Sequence, residues 1–92
     1  MSTLVHNLNG TGNRHPSDGS TSWKEWWEKR TGRKFSYCSC VDCSGKAEVG
    51  AHVQKVNGGD EWYIVPLCNS CNVSKKNVSF KVDSDDLVPL HP

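Results

Sequence analysis

The sequence contains no run of 18 apolar residues, so no segment is read as spanning a membrane. Its N-terminus, MSTLVHNLNGTGNR, lacks the apolar stretch that an export signal needs and is instead polar and rich in Asn and Gly. Hydrophobic residues are scarce, 35% of 92, against 8 glycines and 4 prolines. A core that lean leaves at most about 3–5 kcal/mol of net stability, so one small domain is expected and it needs a staple. Strong charge of either sign is absent too: the formal net charge of +1 neither requires nor excludes a polyanionic partner. An even cysteine count is also missing. Five cysteines leave one over from any disulfide framework, and with no export signal the expectation is a cytoplasmic protein with reduced thiols.

Paired reduced thiols point to a metal. Cys40-x-x-Cys43 and Cys68-x-x-Cys71 each make a tight knuckle that sets two thiolates on one ion. Four thiolates close a tetrahedron around zinc with Zn–S of about 2.3 Å and leave no position open for a substrate, so the site is structural. The expected ligands are Cys40, Cys43, Cys68 and Cys71, holding one Zn²⁺. The fifth thiol, Cys38, is the alternative to Cys40, although Cys38-x4-Cys43 makes a poorer knuckle. Two disulfides would need an oxidising compartment, and a redox C-x-x-C would need a βαβ pattern that is not there. An iron–sulfur cluster shares the four-Cys requirement.

Around these pairs the pattern is that of a small α+β fold, a zinc-stabilised β-hairpin and helix with an extra Trp-rich helix ahead of it. Residues 1–20, rich in Asn, Gly, Ser and Thr, are expected to be a flexible segment. Ser22 to Gly32 reads as a helix: Ser22 and Glu25 form a capping box, Lys29 and Arg30 suit its C-terminus, and Gly32 ends it. Trp23, Trp26 and Trp27 share one face. In a chain so poor in aliphatics these indoles are expected to be core, the alternatives being a stacking platform for bases or a face for a partner protein. Alternation from Ala47 to Val56 and the β-rich stretch from Glu61 to Leu67 flank an Asn57-Gly58-Gly59-Asp60 turn, which predicts a hairpin. A helix is expected from Asn72 and a short strand over Ser79–Val82. The zinc-binding domain is thus 21–82, and 83–92 is an acidic tail.

The string Gly50-Ala51-His52-Val53 followed by Val65-Pro66-Leu67-Cys68-x-x-Cys71-Asn72 resembles the zinc-stapled branch of the HNH (His-Me finger) endonucleases over about residues 38–76. The resemblance implies a treble-clef fold in which a hairpin and a helix clasp a catalytic cation beside the structural zinc. Carried over, His52 is the general base that activates water, and Asn72 is a ligand for Mg²⁺ or Mn²⁺. Two of the family's positions are not met. Ala51 stands where an Asp, Glu or His precedes the base, and Tyr63 stands near the place of the middle Asn. The expected function is therefore a non-catalytic zinc module of HNH-like fold. A nucleic-acid partner, DNA or RNA, is suggested by the basic stretch Lys29, Arg30, Arg33 and Lys34. The alternatives are a small metal-dependent HNH-type nuclease and a protein-interaction module working through Trp23, Trp26 and Trp27.

Overall fold

The predicted capping box forms, displaced by one residue. Ser22 Oγ accepts the Glu25 N–H at 3.1 Å, while Glu25 Oε1 accepts the N–H of Thr21, also at 3.1 Å. Gly32 ends the helix at φ 71°, in the left-handed region, with its N–H on the Glu28 carbonyl at 2.9 Å. The computed structural model of the chain describes residues 1–8, 16, 19–75 and 77–90. Within them the elements run β1 (Ser2–Asn7), α1 (Trp23–Thr31), β2 (Val49–Lys55), β3 (Trp62–Leu67), α2 (Asn69–Ser74), β4 (Ser79–Asp83) and β5 (Val88–Pro89). A short 3₁₀ turn at Ser84–Asp86 precedes β5. No described helix is long and apolar enough to cross a membrane.

The five strands form one antiparallel sheet in the order β4-β1-β2-β3-β5. Alternation divides its side chains between two cores. On one face Val5, Ala51, Val53, Val65, Leu67, Phe80 and Val82 pack with Cys38, Cys40, Cys68 and Cys71, bringing α2 to that side. On the other, Ile64 packs with Trp26 and Trp27, which are 3% and 2% exposed, so two indoles of the α1 stripe are core, while Trp23 packs against them half-buried. Ser39 draws β3 and β4 together although they are not neighbours in the sheet. Its N–H donates to the Pro66 carbonyl at 2.9 Å, and its carbonyl accepts from the Asp83 N–H at 3.1 Å. Pro66 has no N–H to donate, so only its carbonyl takes part in this link.

Close approach of α1 to β2 depends on Gly50. A Cβ there would stand 2.8 Å from Trp23 Cβ, 2.9 Å from the Trp23 carbonyl carbon and 3.1 Å from Ile64 Cγ2. Helix backbone cannot yield as a flexible side chain does. Gly50→Ala is expected to cost about 1–3 kcal/mol by overpacking. In urea it should lower the unfolding midpoint while leaving the slope unchanged.

The N-terminal expectation needs correction. Ser2–Asn7, placed by composition in a flexible segment, form an inner strand bonded to β4 on one side and β2 on the other. Ladder bonds on both edges and the full burial of Val5 hold a segment whose composition is otherwise polar. Buried Asn7 also ties this strand to α2: its amide donates to the carbonyls of Asn72 at 3.3 Å and Lys75 at 3.4 Å. The rest of the predicted flexible segment, apart from 1, 8, 16, 19 and 20, lies outside the described residues. The acidic tail lies against the rest of the chain as far as 90. Asp83 closes β4, Leu87 packs on the first core, and Val88 and Leu90 pack on the second. Trp27 Nε1 donates to the Asp86 carbonyl at 2.8 Å, and Arg33 reaches Asp86 Oδ1 at 3.1 Å and the Asp85 carbonyl at 2.8 Å.

Candidate metal centre

Residues 36–47 double back on themselves ahead of β2. Ala47 N–H bonds to the Ser36 carbonyl at 3.1 Å and Cys38 N–H to that of Gly45 at 2.8 Å. The turn at the tip is closed by Cys43 N–H on the Cys40 carbonyl at 3.0 Å. The hairpin β2–β3 follows and delivers the chain to α2, whose N-cap is Cys68. That helix begins ahead of the predicted start at Asn72, because Cys68 Sγ serves as the capping acceptor for the Cys71 N–H at 3.4 Å.

Knuckle and helix together gather the sulfurs of Cys38, Cys43, Cys68 and Cys71, all within 4.8 Å of one another. Cys43 and Cys68 stand 3.8 Å apart. A tetrahedral ion with metal–sulfur bonds of about 2.3 Å has sulfur–sulfur edges of about 3.8 Å, so the spacing fits such an ion. An all-thiolate set is the soft donor environment that selects zinc, Cu(I) or iron–sulfur chemistry over hard cations. The four cysteines can thus hold a metal ion. With every tetrahedral position taken by sulfur, no site remains for a substrate.

Cys40, expected as a ligand, is outside this group, and Cys38 takes its place. Cys40 is bridged to Val82, and the next N–H, of Val41, bonds to the Lys81 carbonyl at 3.0 Å. This pairing turns Cys40 toward β4, where it is 2% exposed and its thiol donates to Asp42 Oδ1 at 2.8 Å. Burial, reinforced by that bond, pushes the Cys40 thiol up from its ordinary value, so it keeps its proton. The same bond holds the Asp42 carboxyl below the usual range, with help from Lys75, whose Nζ lies 3.7 Å from Asp42 Oδ2.

Within the group the thiols differ. Burial raises those of Cys38 and Cys71, whereas the backbone N–H of Cys71 lowers that of Cys68. Two buried thiols that resist ionisation become good ligands only when a cation replaces their protons, which couples metal uptake to proton release.

His52 and Asn72 are not brought together. Alternation along β2 turns Ala51 and Val53 to the side of α2 and His52 to the side of α1. The imidazole is 7% exposed and stands edge-on to Trp23 at 4.7 Å and to Trp62 at 6.0 Å. Asn72 sits half-buried in α2, across the sheet, its carbonyl accepting from Asn7. One functional residue was ranked second from sequence, Cys38. Asp42 is the signal that could have promoted it, because a carboxylate two residues from Cys40 accepts that thiol's proton and disfavours the thiolate. Compared with family models, curated proteins and solved structures, the chain matches none of them.

Proposed function

We propose that the chain is a zinc-stapled, non-enzymatic module in which one ion on Cys38, Cys43, Cys68 and Cys71 fastens the knuckle, hairpin and helix in a treble-clef arrangement of HNH-like type. The four-sulfur group is the observation that carries this reading. The order of parts supports the treble clef: a knuckle supplies the first two sulfurs, a hairpin follows, and the N-cap and first turn of a helix supply the last two. The absence of catalysis is supported by the opposite sides taken by His52 and α2, and by Ala51 and Val53 filling the face toward that helix. A general base must come within hydrogen-bond reach of the water that a catalytic cation holds.

Neither partner suggested by the sequence gains support. In the basic stretch Lys29 pairs with Glu25 at 3.6 Å, Arg33 with Asp86 at 3.1 Å and Lys34 with Glu28 at 4.0 Å. Arg30 lies over the Trp26 ring, 4.8 Å from its centroid. Cations already matched by carboxylates release few counterions on meeting phosphate. The indoles of Trp26 and Trp27 are likewise committed to the core.

Metal analysis of the purified chain should find one zinc per molecule. Incubation with plasmid and Mg²⁺ or Mn²⁺ should leave the DNA intact. Iron in place of zinc, or no metal, would overturn the first half of the proposal. Cleavage that disappears in His52→Ala would overturn the second.

A further inference from the structure

We infer that peroxide regulates this centre: oxidation closes Cys43 and Cys68 into a disulfide and releases the ion. The inference rests on the zinc reading above and adds the control of that same site. Among the four clustered cysteines Cys43 is half-exposed while Cys38, Cys68 and Cys71 are buried, so an oxidant arriving from solvent meets Cys43 first. Its sulfur is 3.8 Å from that of Cys68, which sits elsewhere in the chain, at the N-cap of α2. Gly45 lies over this pair. It is exposed, and a Cβ on it would stand 3.5 Å from Cys43 Sγ and 3.9 Å from Cys68 Sγ. The glycine therefore leaves open, directly above these two sulfurs, the space a methyl group would fill.

The chemistry balances with hydrogen peroxide as the oxidant. The Cys43 thiolate attacks one peroxide oxygen, forming a sulfenic acid and expelling hydroxide as the O–O bond breaks. The Cys68 thiolate then attacks the sulfenic sulfur, forming the S–S bond and expelling a second hydroxide. The two thiolates lose one electron pair between them, and the peroxide takes it up. Cys38 and Cys71 then remain as the only thiolates, and two donors do not retain zinc against a chelator.

The test uses the full chain loaded with zinc. Hydrogen peroxide is added in the presence of a chromogenic zinc chelator, and disulfides are mapped by mass spectrometry. One zinc released for each Cys43–Cys68 disulfide is expected, with recovery on adding a thiol reductant and zinc. Gly45→Ala, whose methyl would meet both sulfurs at ordinary contact distances, should bind zinc normally and release it several-fold more slowly. Cys40→Ser should match the parent. A parent chain that holds no zinc at the outset would overturn both this inference and the reading beneath it. Zinc that is bound but not released, a disulfide on Cys38, Cys40 or Cys71, or Gly45→Ala as fast as the parent would each overturn the inference alone.

Discussion

Stripping the metal with a strong chelator is expected to unfold the chain, with loss of sheet circular dichroism and a red shift of tryptophan emission. The magnitudes decide this. A structural zinc site contributes roughly 10–16 kcal/mol of apparent binding energy to folding. A core this small supplies at most about 3–5 kcal/mol, and against the entropy of ordering the chain its own balance comes out near zero. Single substitutions then distinguish the thiols. Cys38→Ser should lose the metal and unfold as Cys68→Ser does, since each removes one of four converging sulfurs. Cys40→Ser should keep one zinc and a cooperative transition, because its thiol bonds to Asp42 rather than facing the group. The reverse result, with Cys40 essential and Cys38 dispensable, would mean that the knuckle is folded differently from the arrangement described.

That distinction also shows where sequence reading reached its limit. The hairpin was legible because alternation over Val49–Lys55 and Trp62–Leu67 is a local signal with a turn between its halves. The α1 helix was legible for the same reason, having its cap, dipole charges and glycine stop all within a dozen residues. What escaped depends on contacts distant in sequence. Ser2–Asn7 become a strand through pairing with residues near 54 and near 81, and Val88–Pro89 through pairing with Tyr63 and Ile64. Cys38 and Cys40 sit two apart in one knuckle, and spacing favours Cys40. The β4 register decides instead for Cys38 by bridging Cys40 to Val82. The placement of His52 turns on a one-residue parity: had the strand been shifted by one, His52 would share a face with α2.

The largest effect away from the metal is expected at Trp27. Its indole is 2% exposed, lies edge-on to Phe35 at 5.3 Å and carries the Arg33 guanidinium 4.8 Å above the ring. Trp27→Ala should cost about 3–5 kcal/mol, the usual range for emptying an aromatic site in a core. Trp27→Phe retains much of the packing but not the donor to the Asp86 carbonyl, and should cost about 1–3 kcal/mol. Like the parent, this variant should be folded only when loaded with zinc, and the loss is read as a lower unfolding midpoint of the zinc-loaded form. Its damage should also be confined. Trp27 belongs to the core shared by α1, Ile64, Val88 and Leu90, while the sulfur group and the buried apolar residues of β1, β2 and β4 belong to the core across the sheet. Hydrogen exchange on the zinc-loaded variant should therefore show protection lost over residues 84–90 and α1, and kept in the β1–β4 ladder. Equal loss in both regions would show that the two cores unfold as one unit and that zinc on one face cannot hold its side of the sheet alone.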